Sequence, residues 1–539
     1  MSSRVRACAA IATTAFVLFA CQRDRTAKTV VIAENGTVDL LLPLTFRSEL
    51  ETELDKLLFP GLNSARWVDG AIEHVLDDLA LAERWEFGPD STTITYDMRA
   101  DANWSDGEPI TAKDVVFTYN LMLRPETGFP YADYVALLDS VKAIEAHRAT
   151  FYFKRRHPLM LLQSGWSIIP EHVYRDHGAD GTTLAAHPAV HAPATDLVVS
   201  GPFRVSEWLP AERLVLEPRE RAYTGRSSLD RVVFRFVPEA TTRVVELQNG
   251  SVDVINPVPT STLTSLADDP RFQLAARGAR FYDFIAWNWT RFAPFADPQV
   301  REALSLAIDR QAILEGLHVD DYAAPAAGPF PPIFRRLYDT TVQPDPYAPD
   351  SARAILQRLG WADNDNDGIL ERGSQTFRFT LLTNSGSRGL MRSSAAEIIQ
   401  AQLTRIGIAV DIRLLENSTL IDYVFSDTTR KFQAAIVGWR VALNPEYVRD
   451  QFWPREAPYN ITAYESTATD SLIPLALAAG NAVDAAAHWR AAAREIARDR
   501  PYAFLWFYDE VVGLSNRVKN SRIDTYSVYQ NLHHWRVEP

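Results

Sequence analysis

Alternating strand-like and helix-like segments along this 539-residue chain predict an α/β protein of several domains. Three observations carry that prediction. The chain is too long for one ordinary hydrophobic core. Hydrophobic residues make up 47% and charged residues 23% of it, the balance of a globular rather than a disordered chain. Stretches with an apolar period of two alternate with stretches of helical spacing that carry helix start and stop signals. The formal net charge of -13 argues against nucleic acid as a partner, because its phosphates would be repelled.

The N-terminus reads as a processing segment rather than as part of the fold. Arg4 and Arg6 form a short basic region, a small and apolar run follows, and Leu18-Phe19-Ala20-Cys21 closes it. The run is shorter than the roughly 20 residues that span a bilayer, so residues 1–20 are expected to be a signal peptide. The Leu-x-Ala-Cys ending resembles a bacterial lipobox, which implies lipidation at Cys21; cleavage near Ala20 with an incidental cysteine is the alternative. Cys8 would leave with the signal, so Cys21 has no disulfide partner. Each acyl methylene contributes about 0.8 kcal/mol of membrane affinity, so stable anchoring needs more than one chain. Polar residues 21–29 are expected to form a tether.

The β-branched run 29–33 predicts a strand, and 47–58 a helix ended by Pro60-Gly61. In 91–99, Ile94, Tyr96 and Met98 alternate with polar neighbours, as a half-buried strand requires. Asp106-Gly107 marks a turn. Thr111 and Asp114 have capping-box spacing before the apolar Val115, Val116 and Phe117, so a helix starts there. Residues 175–197 read as a loop, and strands are expected at 203–208, 212–217 and 231–237. A helix is predicted over 298–315, capped by Asp297 with Pro298 at its first position and a buried stripe of Val300, Leu304, Ala307 and Ile308. Helix 391–406 should stop at Gly407, before a strand at 408–414.

Signs of catalysis are sparse. No Gly-Lys pair offers a phosphate loop, and neither G-x-S-x-G nor H-E-x-x-H occurs. His172, His177, His187 and His191 fall at irregular spacing in a stretch expected to be a loop, where solvated loop histidines are the favoured reading over a metal site. Asp363, Asp365 and Asp367 begin like a calcium loop. Position twelve is Ser374 rather than Glu, so a solvated turn is preferred and calcium is the weaker alternative. No catalytic residue, resident metal or cofactor is expected.

Several motifs occur in one order along the chain: WSDGEPITAKDVVF at 104–117, Ile169-Pro170-Glu171-His172-Val173-Tyr174, Ser200-Gly201-Pro202-Phe203 with Trp208, Leu247-Gln248-Asn249-Gly250 through Asp253, PFADPQVREALSLAIDR at 294–310, LTRIGIAV at 403–410, and 501–507. Together they resemble the family 5 extracellular solute-binding proteins, the receptors of ABC importers for oligopeptides, dipeptides, nickel chelates and some sugars. The resemblance implies a type II periplasmic-binding-protein fold with mixed sheets, two lobes and a hinge. It also implies a discontinuous domain I (30–63, 195–282 and 499–539), an inserted domain II (64–194) and a domain III (283–498), joined by crossovers near 282 and 498. The ligand would sit between domains I and III.

The implied function is capture of a peptide or peptide-like solute by a lipid-anchored, extracytoplasmic monomer, followed by delivery to a membrane permease and its ATPase. A sensor or chaperone role, or a secreted hydrolase on the same scaffold, are the alternatives. Peptide-binding members of the family place an Asp shortly after a Gly-Trp pair, to hold the peptide amine. Here Gly438-Trp439 is followed by Arg440, with Asn444 and Glu446 further on, so an anionic or N-blocked ligand gains weight. Trp439, Arg440 and Asn444 are therefore candidate ligand contacts. Trp166 and Trp287 join them as aromatic cleft candidates, and Asn384, Asn460 and Tyr464 by the resemblance alone.

Overall fold

Two long antiparallel strands, Phe272–Trp287 and Tyr502–Ser515, organise the molecule. The computed structural model describes residues 28–538 apart from 46–47, 125–126, 128, 177–183, 385–389, 426–429 and 458. The signal segment, Cys21 and most of the tether thus lie outside the described residues, as does His177. Among the described residues no helix is long and apolar enough to cross a membrane.

Both long strands belong to one 11-stranded sheet. On one side the sheet continues from Tyr502–Ser515 through Val254–Asn256, Thr29–Glu34, Arg231–Phe236 and Arg213–Pro218 to Phe203–Leu209. On the other it continues from Phe272–Trp287 through Ala434–Arg440 and Arg378–Asn384 to Ala409–Leu415. The long pair bridges the two sides, and its register slips in the middle. Arg277 lies opposite Glu510, but the next regular pair is Phe281 with Tyr508. The intervening residues form an irregularity of the kind that bends a strand and increases its twist. Gly278 stands there because a Cβ would lie 2.5 Å from Ile333 Cγ2. Position 498 lies in helix Ala482–Asp499, and the second crossing is made by the strand that follows it.

A separate four-stranded antiparallel sheet runs Ala82–Phe87, Thr93–Met98, Arg148–Phe153, Leu138–Glu145. Its apolar face shares one core with the Thr29–Glu34 side of the large sheet and with Tyr529, Leu532 and Trp535 near the C-terminus. Two further cores cover the opposite faces of the other side of the large sheet. His533 and His534 reach Asp78 Oδ2 at 3.0 and 2.7 Å, fastening the tail to the residues before the small sheet.

The capping signals act as expected. Helix Ala112–Met122 has a complete Thr111/Asp114 capping box, and Asp297 caps helix Pro298–Leu306. The predicted helix 298–315 is instead two helices, Pro298–Leu306 and Arg310–Gly316. Asp309 caps the second through the Ala312 amide at 3.0 Å. Buried Arg310 turns back to the Ser305 and Ile308 carbonyls and forward to the Phe504 carbonyl, satisfying groups that a continuous helix would have used itself. The 175–197 region holds short 3₁₀ turns, among them Pro188–Val190 and Ala194–Asp196.

Candidate functional site

The register slip in the long strands collects charge. Helix Glu49–Leu58 begins with a Ser48/Glu51 capping box, which places Glu49 in its first turn, where a helix favours a carboxylate. Glu49 Oε1 accepts from Arg277 Nη2 at 3.2 Å, from Arg280 Nη1 at 3.4 Å and from Arg440 Nη2. Arg277 also donates to Glu510 Oε2 at 3.3 Å, and Arg280 to the Thr525 carbonyl at 3.3 Å. Burial first, and then the neighbouring Arg277, pulls the Arg280 pKa down to about 10, which leaves it charged at neutral pH. Burial also lowers that of Arg440, whose guanidinium lies 5.8 Å from the Phe281 ring centre.

Beside this cluster is a cavity of about 180 Å³ bounded by Glu34, Glu49, Glu53, Arg277, Glu510 and Tyr529, among others. Glu34 ends the first strand and accepts from the Tyr529 hydroxyl and, at 3.0 Å, from Asn256 Nδ2. Burial raises its pKa to about 7 against those bonds.

Gly438 lies opposite Asp283 in the sheet, where a Cβ would come within 2.1 Å of Asp283 Oδ1. The glycine leaves room for Arg392 to grip both Asp283 oxygens, at 2.7 and 3.1 Å. Trp439, next along the strand, is half-buried among Phe284, Phe425 and the exposed Tyr459, with ring centres 6.3, 4.9 and 5.6 Å away.

A second and larger cavity, about 420 Å³, opens between residues 67–163 and residues 334–489. Trp67, Ile72, Phe334, Leu337, Leu443 and Trp489 give it an apolar wall; His74, Arg155, His157, Gln163, Asn444 and Glu446 add polar groups. That mixture, and a size within the roughly 300–1,000 Å³ of ligand pockets, suit a small organic solute. Burial holds both histidines near a pKa of about 4, so they are neutral. The walls touch around it: Trp67 meets Phe334 edge-on at 5.5 Å, Arg155 donates to the Leu477 carbonyl at 2.9 Å, and Arg335 pairs with Asp69 at 3.1 Å.

The candidates from sequence separate accordingly. Asn444 lines the larger cavity, although its Oδ1 also accepts from the Glu446 amide at 3.0 Å. Arg440 joins the arginine cluster, with Trp439 beside it. Asn384 is buried near Arg392, 3.5 Å from both that guanidinium and Asn417. Trp166 packs on Phe129 and Tyr131 and borders neither cavity. Trp287, Asn460 and Tyr464 leave the ligand-facing set. Trp287 is fully buried against Phe295 and Phe379. Asn460 bonds the Tyr464 amide and carbonyl, and the Tyr464 hydroxyl donates to Asp499 at 2.8 Å.

Asp363, Asp365, Asp367 and Glu371 do bring their carboxylates within 4.8 Å of one another, on the surface. Backbone amides of the same turn use them: Gly368 donates to Asp363 at 3.1 Å and Asn364 to Glu371 at 3.0 Å. His172 pairs with Asp106 and His187 packs against Tyr174, so neither stands in a histidine cluster.

Sequence reasoning missed Glu49, Arg277 and Arg280. No local pattern marks them, because Glu49 and Arg440 are 391 positions apart.

Residues 79–456 match the family described as bacterial extracellular solute-binding proteins, family 5, middle region. The chain belongs to that family. This solute-binding protein is 24% identical over 519 residues to the oligopeptide-binding protein AppA of Bacillus subtilis, covering 94% of this chain and 91% of the relative. It is 27% identical over 378 residues to heme-binding protein A of Haemophilus influenzae, covering 67% and 65%. Its fold matches Bacillus subtilis AppA, solved with a nonapeptide, at a TM-score of 0.75 and 23% identity over 95% of this chain and 100% of that one. It matches Campylobacter jejuni NikZ, solved with Ni(L-His), at 0.77 and 20% identity over 94% and 99%. The solute-binding protein therefore has the mixed α/β type II periplasmic-binding fold that its motifs suggested.

Proposed function

We propose that this chain is the receptor of an ABC importer that closes two lobes around a peptide or peptide-like solute and presents it to the membrane permease. The observation that carries this reading is the larger cavity, walled by residues 67–163 on one side and by residues 334–489 on the other, in a molecule whose large sheet is joined across its middle by the long pair Phe272–Trp287 and Tyr502–Ser515. One lobe would comprise domain I (30–63, 195–282, 499–539) with domain II (64–194), and the other domain III (283–498). Phe272–Trp287 and Tyr502–Ser515 form the joint. Ligand contacts made to both lobes exist only in the closed form, so ligand shifts the population towards it. No step requires catalysis by this chain. Export, cleavage and lipidation at Cys21 would hold the monomeric receptor at a membrane; Cys21→Ser should abolish detergent-phase partitioning of the exported protein.

The peptide-like ligand of several relatives supports the cargo, and the apolar wall of the larger cavity suits side chains of varied kind. The test is mass spectrometry of ligand released on denaturation of the purified protein, followed by thermal denaturation with the recovered compounds. At 100 times its Kd a true ligand stabilises the native state by about 2.7 kcal/mol. Recovery of peptides that raise the Tm supports the reading. If peptide pools leave the Tm unchanged, peptide capture is wrong.

A further inference from the structure

Three arginines converge on one carboxylate at the joint of the long strands. Arg277, Arg280 and Arg440 all direct an N–H at a single oxygen, Oε1 of Glu49. A carboxylate meets guanidinium best through both oxygens, in paired parallel bonds. Three donors sharing one oxygen fall short of that geometry. The Arg277 and Arg280 side chains are only 2% and 10% exposed, whereas that of Glu49 is 32% exposed. Two of the three cations are thus fixed and buried, while Arg440, 33% exposed, lies with Glu49 at the solvent edge, where the anion can turn out to water at little cost.

The buried Nε of Arg280 has no hydrogen-bond partner among the described residues. A buried donor left unpaired is costly, so it favours any acceptor that reaches it. The neighbouring carboxylates do not supply one. Glu510 is engaged by Arg277, and Glu53 by Lys56, the Ser527 hydroxyl and the Tyr529 amide. The adjoining cavity of about 180 Å³, which Glu49 and Arg277 both line, gives room for an incoming group.

We propose that Arg277, Arg280 and Arg440 form the subsite for a carboxylate of the ligand, and that Glu49 occupies it as a stand-in which the ligand displaces. Glu49 sits on one proposed lobe and Arg440 on the other. The stand-in therefore holds the cleft together without ligand, and a ligand carboxylate takes over that bridge. This deepens, and rests on, the reading of the protein as a receptor for peptide-like solutes.

The test uses two matched libraries of N-acetylated tetra- to hexapeptides built from neutral residues, one of free acids and one of C-terminal amides. The terminal carboxylate is then the only charge that differs. Retention by the full-length exported protein is read by mass spectrometry. Wild type should prefer acids by at least about tenfold, the worth of one lost charge-assisted hydrogen bond. Glu49→Gln should strengthen retention of acids and leave amides unchanged, because it removes the competitor. Arg280→Met and Arg440→Met should each reduce the preference, with circular dichroism confirming that the variants fold. Equal retention of acids and amides by wild type and by Glu49→Gln overturns the subsite while leaving peptide capture intact. If neither library binds wild type, peptide capture itself fails. The subsite is then judged by succinate alone: a larger Tm rise in Glu49→Gln than in wild type supports it, and equal rises overturn it.

Discussion

Glu34 shows what burial does to a single group. Its carboxyl lies inside the molecule, accepts from Tyr529 and Asn256, and faces Arg243 and Glu510, yet burial outweighs the favourable bonds and raises it from 4.5 to about 7. A carboxyl with a raised folded-state pKa prefers to be folded when protonated. Its stabilisation is fully present below the unfolded value and is lost as pH rises through about 7. A difference of that size amounts to something on the order of 3 kcal/mol across the window. The Tm of wild type should therefore fall relative to that of Glu34→Gln between about pH 5 and pH 8, with the two closest at the acid end. Parallel Tm profiles for the two proteins would mean that Glu34 is ionised throughout. Sequence gives no hint of this behaviour: a Glu at the end of a strand reads as a surface residue until Tyr529 and Asn256 fold over it.

The helix Ala112–Met122 is the element that local sequence describes best, and its cap does more than start a helix. Asp114 Oδ2 accepts from the Thr111 amide at 2.8 Å, and Asp114 Oδ1 accepts from the Glu171 amide at 2.9 Å. The WSDGEPITAKDVVF segment thus ties a helix start to the Ile169-Pro170-Glu171 motif far along the chain. Thr111→Ala should cost about 1 kcal/mol, as loss of an N-cap does. Asp114→Ala should cost more, about 2–3 kcal/mol, because it also leaves the part-buried Glu171 amide without a partner. Asp114→Asn should fall between them, since it keeps one acceptor. Urea denaturation midpoints order the three; equal costs for Thr111→Ala and Asp114→Ala would remove the tie to Glu171. Caps and alternating strands were legible because they depend on residues a few positions apart. The break at Ala307–Asp309 was not, because it depends on Arg310 reaching the Phe504 carbonyl across the core. The Gly438-Trp439 pair could be read as a marker, but not for its cause, the Asp283–Arg392 pair that needs the missing Cβ.

At the scale of the whole molecule, sequence predicts α/β layers but not the order of strands in a sheet whose neighbours come from both ends of the chain. Thr29–Glu34 lies between Val254–Asn256 and Arg231–Phe236, and the sheet reaches its far side through the long pair Tyr502–Ser515 and Phe272–Trp287. A joint of two strands resists little, so contacts between the proposed lobes set how far the molecule closes. Trp67 against Phe334 is one such contact, on the hairpin Ser64–Val68/Ala71–Val75, and both rings line the larger cavity. An aromatic pair is worth about 0.5–1.5 kcal/mol beyond its buried area. Removing it in Trp67→Ala takes that much from the closed state and little from either lobe's own core, since Trp67 is only half-buried at the edge. Small-angle scattering should therefore show a larger radius of gyration for ligand-free Trp67→Ala than for ligand-free wild type. Saturation with the compounds released from the native protein should bring the two together, at a Kd weakened by about two- to tenfold in the variant. Superimposable ligand-free curves would mean that the Trp67–Phe334 contact follows closure rather than governing it, and the balance would then rest on the Glu49–Arg440 bridge.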